Sequence, residues 1–177
     1  MGTSVRVVAV LLLSVVVAGS AVARDRAEVS PPRVTGPQEV EVVKFMVESG
    51  GQQPAIVLQG KRDKRLFAMA IDATQVVAIA LPLQGVTPPR PLTHDLFLTL
   101  FGRLKVSVTK VVVTDFRDDV YYANVHLQTA TGEVVIDSRP SDAIAFAIRA
   151  KVPMLVEDRV FDKAGGSVPA PKRGPSI

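Results

Sequence analysis

Two short stretches gather the side chains of this chain that could do chemistry together. The first, Arg90-Pro91-Leu92-Thr93-His94-Asp95, sets an imidazole next to a carboxylate. The second, Asp137-Ser138-Arg139-Pro140-Ser141-Asp142, places two carboxylates on either side of a guanidinium. His94 could give or take a proton near neutral pH, with Asp95 or a more distant carboxylate orienting its ring. Asp137 and Asp142 could hold a divalent cation, magnesium or manganese, because such ions need only one or two carboxylates and keep several waters. Arg139 could grip an anionic group such as a phosphate through two parallel hydrogen bonds. On this reading His94, Asp95, Asp137 and Asp142 are candidate catalytic residues, with Asp137 and Asp142 as the metal ligands. Each has a plainer alternative. Arg139 could pair internally with Asp137 or Asp142, Asp95 and Asp142 could merely complement helix dipoles, and His94 could bond a neighbouring loop.

Both stretches open helices. Pro140 suits a first helical turn, because it has no N–H to lose there and its φ is already near helical. Ile144, Ala147 and Ile148 recur at helical spacing while Ala143, Ala145 and Phe146 fill the other sides, so the helix over 140–151 should be buried nearly all round. Thr93 is a good N-cap for a helix to about Leu104, in which Leu96, Phe97, Leu100, Phe101 and Leu104 repeat. Before these boxes, strands are expected at 39–48, 54–58 and 66–71. A helix over 72–83, capped by Asp72, should follow and be ended or kinked by Pro82. Between the boxes, strands at 105–115, 120–128 and 133–137 surround a charged turn at 116–119. A short apolar strand at 153–156 and a helix at 158–164 close the domain. The order is three strands, two helices, three strands, helix, strand, helix. It predicts an α+β single domain on a mixed, mostly antiparallel β-sheet with three or four helices.

At 177 residues the chain allows one domain, and 47% apolar residues suffice for its core. With no cysteine, disulfides, thiolate metal sites and cysteine nucleophiles are excluded. The formal charge of +4 permits polyanion contact without arguing for it, and an aromatic content of 5% speaks against a base-stacking platform. Residues 1–23 read as a secretory signal: Arg6, an apolar run from Val7 to Val17 broken only by Ser14, then Ala21-Val22-Ala23. The expected product is exported, periplasmic or secreted, with no membrane anchor after cleavage. Residues 24–38 read as a flexible linker, 39–166 as the domain and 167–177 as a disordered tail. The basic cluster Lys61, Arg62, Lys64 and Arg65 reads as a solvated loop tip that could touch phosphate, and His126 as a surface residue. Asp115, Asp118 and Asp119 make an acidic turn without the ligand spacing of a calcium loop.

The two boxes, Arg90-Pro91-Leu92-Thr93-His94-Asp95-Leu96 and Ile136-Asp137-Ser138-Arg139-Pro140-Ser141-Asp142-Ala143-Ile144-Ala145, resemble those of the bifunctional nuclease family. Between them, Thr114-Asp115-Phe116-Arg117-Asp118-Asp119-Val120-Tyr121-Tyr122-Ala123 is similar to the family's central turn. The likeness runs from about Val40 to Gly165. It implies hydrolysis of DNA and RNA, with nucleic acid as partner. Arg90 of the first box and Arg139 of the second are the candidate substrate contacts. Two positions depart from the family pattern: Gln75 replaces a glutamate before the first helical run, and Asp119 replaces a glycine. A second reading is a non-catalytic binding or assembly module in which the boxes hold the fold or a subunit interface. On either reading the short strands leave edges that a homo-oligomer would cover.

Overall fold

The computed structural model describes residues 35–46 and 53–165. The signal segment at 1–23, the linker up to residue 34 and the tail at 167–177 lie outside the described residues. Among those described, no helix is long and apolar enough to cross a membrane.

The element order is the expected one: β1 (Gln38–Met46), β2 (Ala55–Gly60), β3 (Leu66–Ala70), α1 (Ala73–Leu83), α2 (Thr93–Arg103), β4 (Ser107–Arg117), β5 (Val120–Thr129), β6 (Gly132–Ser138), α3 (Pro140–Ala150), β7 (Met154–Val156) and α4 (Asp158–Ala164). The seven strands form one sheet in the order β3-β2-β1-β7-β4-β5-β6. Every pairing is antiparallel except β4 with β7. The fold is therefore α+β on a mixed sheet. Its middle is the three-residue strand β7, with Val156 fully buried between the two halves.

The sheet is strongly curled. Four strands separate β3 from β5 in the order, which in a flat sheet would put them about 24 Å apart. Yet the Tyr121 hydroxyl on β5 donates to the Ala68 carbonyl on β3 at 3.0 Å. Phe67 of β3 meets the rings of both Tyr121 and Phe161. A register shift in β1 between Val42 and Lys44 supplies part of the bend.

Helix α3 behaves as its sequence predicts: Pro140, Ser141, Ala143, Ile144, Ala145 and Ala147 are all buried. It lies on β4 and β5, and α1 and α2 lie against it.

Two local expectations are corrected, at the start of α2 and at the β4–β5 turn. Thr93 is not the N-cap of α2; it is the first helical residue, Leu92 holds the cap position, and Asp95 receives the Leu92 N–H at 2.9 Å. Helix α1 ends at Leu83 as expected, with Pro82 in its last turn. The carbonyl four residues earlier, Ala78, has lost its helical partner, and Arg149 Nη1 donates to it at 2.6 Å. Phe116 and Arg117 belong to β4, so the turn to β5 is only Asp118-Asp119. Both of these have positive φ, 51° and 59°, as in a two-residue hairpin turn that favours Asn-Gly.

The basic turn after β2 is solvated at Lys61, Arg62 and Lys64, as expected, while Arg65 is half-buried. Arg65 bonds Asp63 at 2.7 Å, Asp162 at 2.9 Å and also Asp158, and its guanidinium lies 4.6 Å from the centre of the Phe161 ring. Arg62 reaches Asp158 as well. Arg62 and Arg65 fasten the β2–β3 turn to α4.

Candidate functional site

The two boxes meet in space. His94, on the first turn of α2, places Nε2 3.1 Å from Asp142 Oδ1 on the first turn of α3, across 48 residues of sequence. The imidazole is buried, at 7% exposure, edge-on to Phe146 at 5.0 Å. Arg139 donates from Nε to the other Asp142 oxygen at 2.7 Å. Its side chain is 62% exposed, so the guanidinium is reachable from solvent. The hydrogen bond it donates to Asp142, with the carboxylate charge beside it, holds the Arg139 guanidinium above its usual range.

Gln75 of α1 completes the group. In the amide orientation that satisfies both neighbours, its nitrogen donates to Asp142 Oδ1 at 3.3 Å and its oxygen accepts from Arg139 Nη2 at 3.0 Å. Asp72, at the N-cap position of α1, makes no capping bond and faces Arg139 at 3.9 Å.

His94, Asp142, Arg139 and Gln75 border an open cleft of about 910 Å³. Its walls are largely apolar: Phe97 and Phe101 from α2, Phe146 from α3, and Val125, Leu127 and Ile136 from β5 and β6. Polar residues thus gather where the helix starts converge, and an apolar trough runs away from them.

The remaining candidates are placed differently. Asp95 does not join His94. It caps α2 through Oδ2 and receives Arg149 Nε at 2.7 Å through Oδ1. Arg149, with a 7% exposed side chain, also donates to the carbonyls of Ala78 and Ala145. Asp95 therefore belongs to a fastening that ties α1, α2 and α3 together. Asp137 is exposed at the cleft border, opposite Asn124 in the β5–β6 register. It makes no hydrogen bond or ion pair among the described residues. Arg90 is exposed and does not border the cleft. His126 is less exposed than expected and bonds Glu133 at 2.7 Å, which holds that carboxyl below its usual range. Asp115 bonds Lys163 and the Phe116 N–H.

A resident divalent cation does not fit these donors as they stand. Both Asp142 oxygens face cationic or N–H groups, and Asp137 stands apart. Among the described residues no three His, Asp or Glu side chains form a group able to hold a metal.

The sequence over residues 56–169 matches the model of the bifunctional nuclease domain. The chain belongs to the bifunctional nuclease domain family. An uncharacterized protein of Mycobacterium tuberculosis, found in strains H37Rv and CDC 1551, is 37% identical over 131 residues, covering 74% of this chain and 78% of its own length. Bifunctional nuclease 1 of Oryza sativa subsp. indica is 28% identical over 109 residues, which are 60% of this chain and 33% of the rice protein. The relation to proteins named as nucleases is thus distant.

Within this family domain, sequence reasoning marked Gln75 only as a departure from pattern. Its contact with Asp142 and Arg139 was out of reach, because 64 residues separate it from Arg139. The apolar trough was also missed. Its three phenylalanines read as core positions of two helices, and only the packing leaves Phe97 at 44% exposure.

Proposed function

We propose that the domain cleaves phosphodiester bonds in nucleic acid at this cleft. The observation that carries the reading is the chain His94–Asp142–Arg139, which joins the two boxes beside an open trough. Asp142 accepts from Nε2 and fixes the ring, leaving Nδ1 for proton transfer. Nδ1 has no hydrogen-bond partner among the described residues. Arg139 offers donors to a phosphate and would stabilise charge gathering on its oxygens. The apolar trough would take a base or sugar.

Such a set suits RNA better than DNA. An RNA 2′-hydroxyl can serve as the nucleophile once a base takes its proton. The 2′-oxygen then bonds phosphorus, the 5′-oxygen leaves, and water returns a proton to it. DNA lacks that hydroxyl and requires an activated water, for which these residues supply no metal cradle.

The test is cleavage of single-stranded RNA and DNA by the purified protein, with EDTA and with added magnesium or manganese. RNA cleavage that survives EDTA and falls about 100-fold or more in His94→Gln and Asp142→Asn supports the reading. Cleavage that neither substitution reduces, or no cleavage under any condition, sinks it. In the second case the assembly-module reading takes its place.

A further inference from the structure

Four of the large apolar side chains left exposed on the described surface stand on α2 or at its C-cap: Leu96 at 63%, Phe97 at 44%, Leu100 at 47% and, at the cap, Leu104 at 62%. Phe97 turns partly into the cleft, whereas Leu96, Leu100 and Leu104 follow one another at four-residue spacing along the outer side of the helix. A helix that already gives Leu98, Phe101 and His94 to the interior has no need of this second apolar stripe. We propose that the stripe is a docking surface for a second copy of the chain, with two α2 helices packed antiparallel about a two-fold axis at Leu100.

Three features favour a second copy. The stripe is symmetric about Leu100, so an antiparallel partner sets Leu100 against Leu100 and Leu96 against Leu104, the self-complementarity a two-fold contact demands. No like charges meet: His94 is buried, Asp95 is turned to Arg149, and the remaining charge, Arg103, falls opposite Phe97 of the other copy. The area is also adequate. The exposed parts of the four side chains sum to on the order of 400 Å² of apolar surface per copy, close to the apolar share of a standard footprint of about 800 Å². The edge strand β6 is a poorer candidate. Although Val134, Val135 and Ile136 are exposed there, Glu133 and Asp137 guard its two ends, as charges commonly do on free edges.

The chain has no cysteine, so a single introduced thiol reports the geometry. Sedimentation equilibrium on the protein as its host produces it should show a monomer–dimer equilibrium in the micromolar range. Leu96→Asp with Leu104→Asp should return the mass of one chain while leaving circular dichroism unchanged. Leu100→Cys should cross-link under mild oxidation to a species of twice the mass. Leu83→Cys, equally exposed but on α1, should not. A protein that stays monomeric to roughly 0.5 mM overturns the proposal, and that includes the case where the chain's own residues 1–34 or 166–177 cover the stripe. A dimer untouched by the double substitution, or one in which Leu100→Cys fails to cross-link, overturns it too. Because the leucine stripe lies outside the His94–Asp142–Arg139 chain, loss of the dimer and loss of cleavage are separable results.

Discussion

At the scale of single residues, Gln75 governs the character of the cleft. Its amide is neutral and two-faced: it gives a hydrogen bond to Asp142 and takes one from Arg139, so it bridges the pair without adding charge. A carboxylate in that place would stand about one hydrogen bond from Asp142, with Asp72 nearby. The two carboxylates would share a single guanidinium, Arg139, which leaves a net negative charge that favours a proton or a further cation. Gln75→Glu is therefore expected to create a divalent-cation site. In NMR spectra, micromolar manganese should broaden the His94 ring signals of the variant and leave those of the parent sharp. Equal broadening in both would show that the amide is not what keeps cations out.

At the scale of elements, the starts and ends of helices carry the interest. Pro82 removes an N–H from α1, and the carbonyl so freed is answered by Arg149 from α3, which also holds Asp95 of α2. One buried guanidinium thus joins three helices and, through α2, sets His94 against Asp142. Arg149→Met is expected to cost about 3 kcal/mol, since it leaves Asp95 and the Ala78 carbonyl without their partner. Asp95→Asn should cost about as much, since the buried Arg149 guanidinium loses its counter-charge although an amide oxygen still accepts from Leu92. Urea titration measures both, and a negligible loss in Asp95→Asn would show that the ion pair adds nothing.

The β4–β5 turn is open to improvement. Asp118 and Asp119 both occupy the left-handed region that favours glycine. Asp119→Gly should raise stability by up to about 1 kcal/mol, and an unchanged melting temperature would contradict this.

At the scale of the whole molecule, the curl of the sheet closes the core, and α4 holds against it through an ionic cluster. Asp63 in that cluster is pulled two ways. Burial works to raise its pKa, but the Arg65 N–H and guanidinium and the Gln38 amide outweigh it, so the carboxyl lies below its ordinary value. A carboxyl depressed in the folded state stabilises the fold above its unfolded pKa of about 3.9, and that stabilisation is lost as pH falls through the folded value. Thermal melts from pH 5 to pH 2.5 should therefore fall more steeply for the parent than for Arg65→Met. Parallel curves would show that the cluster carries no acid sensitivity.

The sequence by itself determined what local spacing controls. Apolar period, proline and glycine positions and turn chemistry were enough for the order of elements, the mixed sheet and the buried α3. The long, specific boxes were enough for the family. Only the tertiary structure decided which polar side chains face one another. His94 and Asp95 are adjacent in sequence, yet a step of about 100° around α2 sends one to the cleft and the other to Arg149. Asp137 and Asp142 are five residues apart, yet the passage from strand to helix leaves the first exposed and binds the second to His94. The fate of a polar group rests on partners brought near by chain reversals far away in sequence, and no pattern within a window of a few residues carries that information.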